Sequence, residues 1–527
     1  GGLLSITVNP ESCKGCMECV EVCPDGALIT LPQTDELVDD LRRNWSTWRN
    51  LPETNPRFVN IANLDEGIGT LSSMMIQRSV YESMLGGDGA CMGCGEKTNI
   101  HLVLSALSAL LAPRVKKQLA ELKGRVAALE EKAKTILAAG ADLEAAASGK
   151  AITATLTEEQ RASIAQLNKL GAALKDLIWR YEEGPSGRGR SNLGIANSTG
   201  CTSVWASTYP YNPYPFPWVN HLFQDSPSVA VGIFEGHMRT MSDGYIDVRR
   251  ADLVLSGKYD AERDEAFFKA FNWEQFTDEE FRLCPPILAL GGDGAMMDIG
   301  FQNLSRMLAS GKPIKAVVLD TQVYSNTGGQ ACTSGFIGQV SDMATWGDAK
   351  HGKTEARKEL SLIAMAHRGV FVLQSSQAQP AHLLGGVIRG FNSRRAGIFI
   401  LHSPCGPEHV IDASISARQA KLTVDSRAFP LLVFDPDQGN SVSDHLDLDG
   451  NAGIKDDWGK FKLDYMGDDE SIAQKARQSY GLQFDDKTAE QNTGLIRRLM
   501  RDVHTSPFEH AKLSFYAELP IFVARQW

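Results

Sequence analysis

Four cysteines, Cys13, Cys16, Cys19 and Cys23, with Pro24 directly after the last, spell C-x2-C-x2-C-x3-C-P. Thiolates at this spacing can wrap one face of an iron–sulfur cubane, and the proline then turns the chain away. A zinc knuckle would normally split four ligands into two separated pairs, so the spacing predicts a 4Fe–4S cluster. Cys91 and Cys94 form a second, shorter pair in the glycine-rich run Gly89-Ala90-Cys91-Met92-Gly93-Cys94-Gly95-Glu96. Two ligands do not close a site. Others must come from elsewhere in the fold, with Cys201 and Cys405 as candidates and Cys284 and Cys332 as leftovers. From spacing alone this pair allows a redox-active, a zinc-binding or a structural role.

A third constellation carries oxygen rather than sulfur. Leu288-Ala289-Leu290 runs into Gly291-Gly292-Asp293-Gly294-Ala295, and a helix pattern follows. A tight glycine turn after a strand lets backbone N–H groups approach a diphosphate, while the aspartate offers a hard oxygen to Mg²⁺. Gly-Asp-Gly alone also occurs in plain turns. After 26 intervening residues, however, a second strand ends in Thr321-Gln322-Val323-Tyr324-Ser325-Asn326-Thr327-Gly328-Gly329. That is the spacing of a thiamine-diphosphate signature, with Thr321 where Asn is commoner. Both loops are expected at the carboxyl ends of neighbouring parallel strands, where open α/β sheets bind ligands.

The elements that must position these loops follow from periodicity. Pro286–Leu290, Ile314–Leu319, Val370–Leu373 and Gly397–Leu401 read as buried strands, and Asp298–Ala309, Leu360–His367 and His382–Arg389 as helices. Strands alternating with helices predict a doubly wound parallel sheet, an α/β fold, over residues 86–440. Residues 1–31 read as a ferredoxin-like module bounded by β-like runs, Leu3–Val8 and Ala27–Leu31, and 32–85 as a connector with little periodicity. A helix begins near Asn99 and is expected to end at Pro113. Val115, Leu119, Leu122, Val126, Leu129, Ala133 and Ile136 then alternate at steps of four and three, a heptad seam. A break from Ala138 to Lys150 precedes a helix opened by a capping box, Thr157 with Gln160, which carries Ile164, Leu167, Leu174 and Leu177. Residues 114–180 thus read as an inserted antiparallel helical hairpin. From 441 to 527 the composition shifts to a C-terminal α+β appendage.

At 527 residues three or four domains are expected. The net charge of −11 disfavours nucleic acid or an anionic membrane as partner. No apolar run reaches the 18 or so residues of a membrane span. Ten cysteines in metal-ligand spacings, with no signal peptide, predict a reducing cytoplasm. The chain opens on Gly1 rather than Met, so Gly1 is expected to be internal to a longer protein. In two-cluster ferredoxins the fourth cysteine of each run ligates the other cluster. Cys23 is therefore expected to reach a cluster whose other ligands lie upstream, the alternative being that it closes its own site.

The blocks Gly87-Asp88-Gly89-Ala90-Cys91-Met92-Gly93-Cys94-Gly95-Glu96-Lys97-Thr98, Asn197-Ser198-Thr199-Gly200-Cys201-Thr202-Ser203 and Tyr324-Ser325-Asn326-Thr327-Gly328-Gly329-Gln330 resemble pyruvate:ferredoxin (2-oxoacid) oxidoreductase. The resemblance covers residues 1 to about 440. It implies that Cys91, Cys94, Cys201 and Cys405 hold a second 4Fe–4S cluster beside the thiamine. It implies Mg²⁺ on Asp293, Thr321 and the Val323 carbonyl, with Glu96, Cys201, Gly292–Ala295 and Thr321–Asn326 lining the cofactor and Asn326 facing the substrate carbonyl. It implies oxidative decarboxylation of pyruvate to acetyl-CoA and CO₂, with coenzyme A as co-substrate, ferredoxin or flavodoxin as acceptor, and a homodimer. The pyrimidine-side glutamate of such enzymes is expected from an N-terminal part or partner subunit, without which the chain would be inactive. A non-catalytic electron carrier would need only residues 1–31 and leaves Asp293 and Asn326 unused.

A second resemblance lies at the tail. Tyr465–Ile472, Ala476–Tyr480, His504–His510 and Pro520–Trp527 look like the front half of flavin-dependent thymidylate synthase. It implies flavin (FAD) contacts at His504, Ser506 and Glu509 and a nucleotide contact at Gln526. The Arg-His-Arg signature of that family would begin just past Trp527, so catalysis by this segment is not expected.

Overall fold

The computed structural model describes residues 6–451, apart from 22, 56–75, 85, 88, 140–155, 209, 342, 345, 348 and 349. The second half of this region is built on eight strands: β1 (Gly194–Ser198), β2 (Trp218–His221), β3 (Ile287–Gly292), β4 (Lys315–Asp320), β5 (Phe371–Ser376), β6 (Gly397–His402), β7 (Leu432–Phe434) and β8 (Leu446–Asp447). They form one sheet in the order β8-β7-β5-β6-β4-β3-β1-β2. Every pair from β5 to β2 is parallel, while β7 and β8 add antiparallel strands at one edge. The central strands β4, β5 and β6 are buried at every residue. Helices cover both faces, which is why these strands read as continuous apolar runs rather than alternating ones. One core, on Leu288, Leu290, Val317 and Leu319, packs under the helices Gly95–Ala139 and Pro380–Asn392. The other, on Ala289, Ala316, Val318 and Ile400, packs under Ser226–Leu255 and Phe301–Ala309. The α/β fold is as the strand–helix alternation predicts. A boundary at 440 falls inside the sheet, since β8 pairs with β7 and Asn451 hydrogen-bonds the Leu431 backbone in both directions.

Several local expectations are corrected. The helix opening at Gly95 does not stop at Pro113; it runs 45 residues to Ala139 with the proline inside it. A proline in a helix interior costs about 3 kcal/mol. Burial on both sides offsets that here: Leu107, Leu110 and Leu111 in the domain core, then Leu122, Val126 and Leu129 beyond. The second half pairs antiparallel with Glu158–Glu182, through Lys123–Glu182 at 2.6 Å and Lys175–Glu130 at 2.7 Å. The seam residues meet Leu167, Leu170 and Leu174 as their spacing predicts, and Val248 and Ala251 of Ser226–Leu255 close the seam from a third side. The hairpin is thus the continuation of a core helix. The Thr157–Gln160 capping box forms in both directions, and Thr157→Ala is expected to cost about 1 kcal/mol in chemical denaturation.

Residues 32–85 are more than a connector. Thr34 caps a helix over Asp35–Arg49, on which Trp45 and Trp48 stack at 4.7 Å and meet Tyr81. The aromatic pair supplies the fixed contact that a weak apolar period did not announce. In the N-terminal module, 6–8 and 27–31 form no strand, and Ile6, Val8, Ile29 and Leu31 are exposed. A pair of short strands is marginal without a third strand or a helix to cover it. The long helix Gly95–Ala139 is, by length and composition, apolar enough over one stretch to span a membrane, contrary to the sequence reading; 61% of that stretch is buried in the domain. The tail expectations, including His504, Ser506, Glu509 and Gln526, lie outside the described residues.

Candidate functional site

The strand order reverses between β1 and β3, and the loops that leave β1, β3 and β4 at their carboxyl ends open there into one cavity. It is an open cleft of about 410 Å³, solvent-open space included, lined by Thr199, Cys201, Gly292–Ala295, Thr321, Val323–Thr327 and Glu96, among others. This is the crevice where doubly wound sheets take ligands. Asp293 directly follows β3 and caps the turn, accepting the Gly294 N–H at 2.9 Å and the Ser334 hydroxyl at 2.7 Å. It is buried next to Asp320, the last residue of β4. Burial foremost, and then the Asp320 charge, push the Asp293 carboxyl well above the usual range. Asp320 is raised by burial too, against the pull of Arg357, which reaches it at 3.1 Å.

The β4 loop brings oxygens to the same place. Thr321 Oγ1 donates to the Val323 carbonyl at 3.0 Å and lies 2.8 Å from Ser325 Oγ. Gln322 adopts φ +67°, a strained value for a side-chain-bearing residue. Its N–H bonds Asp320 Oδ1 at 3.1 Å and its carbonyl accepts from Gln339 at 2.9 Å. This kink turns Val323 and Tyr324 back over the β3 loop, while Gln322 Nε2 stays buried without a partner. The carboxylate of Asp293, the Thr321 hydroxyl and the Val323 carbonyl are hard oxygens on one buried wall, the donor set that Mg²⁺ prefers. Tyr324 packs against Gly294, where a Cβ would collide with the ring. Gly294→Ala is accordingly expected to displace Tyr324 and to cost about 1–3 kcal/mol in chemical denaturation of the intact protein.

A second cavity, of about 650 Å³, adjoins the first. Cys91, Cys94, Cys201 and Cys405 all line it, and it shares Glu96, Cys201, Thr321, Ser325 and Asn326 with its neighbour. Four cysteines from three distant segments therefore face one space. Burial pushes the Cys94 thiol up to about 12, with Glu96, Cys405 and Cys91 adding like charge. Cys201 is raised by burial and the same neighbours, and Cys405 to about 11. Among the described residues no three His, Cys, Asp or Glu side chains converge tightly enough for a single metal ion. Thiolates from several segments facing one space suit a cubane, which takes one thiolate per iron. Glu96 stands on the shared wall, its carboxyl pushed up to about 7 by burial and held by the Trp205 indole N–H at 3.1 Å. Asn326 is exposed at the mouth of both cavities.

In the N-terminal loop Cys13, Cys16 and Cys19 are electrostatic neighbours of one another. Cys23 sits apart in character. The Ala27 N–H donates to its sulfur at 3.2 Å, and backbone N–H groups of residues 25–28 hold the thiol below its ordinary value. Sequence reasoning missed Ser334, Asp320, Arg357 and His409, whose Nε2 donates to the Thr321 carbonyl at 2.7 Å. No spacing signal marks them, because each reaches the site from a different loop or strand end. Cys284 and Cys332 are buried and stand outside the four-thiol cavity.

Three stretches match family models: residues 5–28 a 4Fe-4S binding domain, 282–384 the thiamine pyrophosphate enzyme C-terminal TPP binding domain, and 463–527 thymidylate synthase complementing protein. The chain is 26% identical over 479 residues to a probable pyruvate-flavodoxin oxidoreductase of Escherichia coli (strain K12), covering 84% of this chain and 32% of that protein. It is 27% identical over 471 residues to a pyruvate:ferredoxin oxidoreductase of Moorella thermoacetica, covering 82% and 32%. A solved 2-oxoglutarate:ferredoxin oxidoreductase from Magnetococcus marinus matches at 14% identity with a TM-score of 0.28, over 43% of this chain and 59% of that one. The chain is thus a distant relative of the pyruvate:ferredoxin and pyruvate-flavodoxin oxidoreductases, and spans about a third of the length of these curated relatives.

Proposed function

We propose that the chain is the ferredoxin-like and thiamine-binding portion of a 2-oxoacid:ferredoxin oxidoreductase, with pyruvate as substrate, coenzyme A as acyl acceptor, and ferredoxin or flavodoxin as electron acceptor. The observation that carries this reading is the wall shared by the two cavities. A site for a diphosphate cofactor and a site for a thiolate-held cluster lie side by side, with Glu96, Cys201, Ser325 and Asn326 between them. Thiamine diphosphate, when bound, would supply the electron sink for decarboxylation of a 2-oxoacid. Asp293, Thr321 and the Val323 carbonyl hold Mg²⁺ in this reading, and the Gly292–Ala295 turn offers backbone N–H groups to the diphosphate. Asn326, at the open mouth, is placed to donate an amide N–H to the substrate carbonyl. Cys91, Cys94, Cys201 and Cys405 hold the first cluster. Cys13, Cys16 and Cys19 hold the second, with Cys23 as its fourth thiolate or as a ligand to a further cluster.

The pyrimidine-side glutamate and the remaining clusters come, in this reading, from the rest of a longer chain or from a partner subunit, and the active unit is a homodimer in a reducing cytoplasm. The tail's likeness to a thymidylate synthase contributes no residue to this chemistry. The test is anaerobic purification of the complete protein followed by cofactor and iron analysis and by pyruvate with coenzyme A. Bound thiamine diphosphate and cluster reduction dependent on both substrates are expected. Protein that keeps its iron but no thiamine diphosphate would sink the reading in favour of a simple electron carrier. A bound flavin would point instead to the tail.

A further inference from the structure

The loop after β4 and the loop after β6 are fastened to each other where the two cavities meet. His409 Nε2 donates to the Thr321 carbonyl at 2.7 Å, and the His409 N–H donates to the Cys405 carbonyl at 3.2 Å. The Ser403 N–H donates to the Asp320 carbonyl at 2.9 Å. Thr321, on the oxygen-rich wall, and Cys405, in the four-thiol cavity, are thereby held in a set relation. Ser325 lines both cavities and touches both residues.

A hydroxyl carries one proton and two acceptor lone pairs. The Thr321 proton is committed to the Val323 carbonyl, which can only accept. The 2.8 Å contact between Thr321 Oγ1 and Ser325 Oγ is then made with the Ser325 proton. Cys405 competes for that same proton. Burial pushes its thiol up to about 11, while the Glu408 N–H and the Ser325 hydroxyl pull it back down. Ser325 can therefore serve Thr321 or Cys405, but not both at once.

In the functional reading above, on which this inference rests, Thr321 Oγ1 and the Val323 carbonyl both face a cation. A cation that takes a lone pair from each leaves no place for a proton between them. The acceptor already in reach of the Thr321 hydroxyl is Ser325 Oγ, and Ser325, once it accepts, is free to turn its own proton to Cys405. A donor aimed at a cluster sulfur stabilises the charge that reduction adds and so raises the potential. We propose that Ser325 is a positioning residue that reports the state of the cation site to the four-thiol cluster: its proton points to Thr321 when that site is empty and to Cys405 when it is filled, so the cluster takes up an electron more readily once the cofactor is in place. Two hydroxyl protons rotate; no covalent bond forms or breaks.

The test is a potentiometric titration of that cluster, followed by electron paramagnetic resonance, in the intact anaerobic protein with and without Mg²⁺ and thiamine diphosphate. Loading is expected to shift the parent's potential to more positive values. Ser325→Ala is expected to lose most of that shift while its unloaded potential stays near the parent's, and Ser325→Thr, which keeps the hydroxyl, to restore it. A loading shift in Ser325→Ala equal to the parent's would overturn the proposal, the cofactor's own charge then being the whole cause. Should that variant lose cofactor or cluster, electron–nuclear double resonance of the parent in deuterated water decides. One additional exchangeable proton coupled to the reduced cluster is expected on loading, and its absence would overturn the proposal equally. A parent that binds no thiamine diphosphate, or holds no cluster on these cysteines, would overturn the functional reading together with the proposal. A parent that holds both and shows no shift would overturn the proposal alone.

Discussion

Asp293→Asn is expected to raise the thermal stability of the cofactor-free protein at neutral pH and to abolish its stabilisation by Mg²⁺ with thiamine diphosphate. Two buried carboxylates, Asp293 and Asp320, lie together at the ends of β3 and β4. The folded-state pKa of Asp293 is raised by burial and by Asp320. A carboxyl raised in the folded state is destabilising above its unfolded pKa, near 3.9. The cost sets in as pH climbs past that value and is fully present once pH exceeds the folded pKa. Asparagine has the same shape and removes the charge. The gain should therefore appear at neutral pH and vanish below about pH 4, where aspartate is protonated in both states. Cation binding has the opposite sign. The parent should gain about 2.7 kcal/mol at cofactor concentrations a hundredfold above Kd, and the variant nothing. Melting curves of the intact protein at two pH values, with and without Mg²⁺ and cofactor, check both halves. A variant that still gains stability from the cofactor would remove Asp293 from the cation site.

Arg357→Met should be the most destabilising single change near the site, on the order of 3–5 kcal/mol, because it leaves a buried carboxylate without its cation. Arg357 and Asp320 side chains are 7% and 0% exposed and meet at 3.1 Å. The Phe336 and Phe429 rings lie 4.9 and 5.1 Å from the guanidinium, so water cannot take its place cheaply. The freed Asp320 charge would also repel Asp293, and thiamine diphosphate binding should weaken with stability. Lys in place of Arg keeps the charge but not the planar stacking, and an intermediate loss is expected. Urea denaturation of the intact protein gives the comparison; a loss within 1 kcal/mol of zero would show that the pair is not the site's support.

Much of this chemistry was legible as spacing. The four-cysteine run of residues 13–23 is local, so its thiolates are close in any compact conformation of the loop. The glycine turn at Gly292–Ala295 and the loop Thr321–Thr327 each follow an apolar strand, and parallel neighbours with helical crossovers must bring such loops to one end of the sheet. The heptad seam and the Thr157 cap likewise carry their own period and hydrogen-bond pattern. Tertiary structure decided what has no period. Cys91, Cys94, Cys201 and Cys405 face one cavity because the loops that leave β1 and β6, separated by β3 and β4, and the start of the helix at Gly95 converge at one end of the sheet, a fact of topology rather than of spacing. The helix passes Pro113 because burial on both sides outweighs a lost hydrogen bond, a balance no local window contains. Ser334 and Arg357 matter through what they touch. A residue of common type becomes particular only when folding removes water from around it and leaves one charge or one hydroxyl facing another.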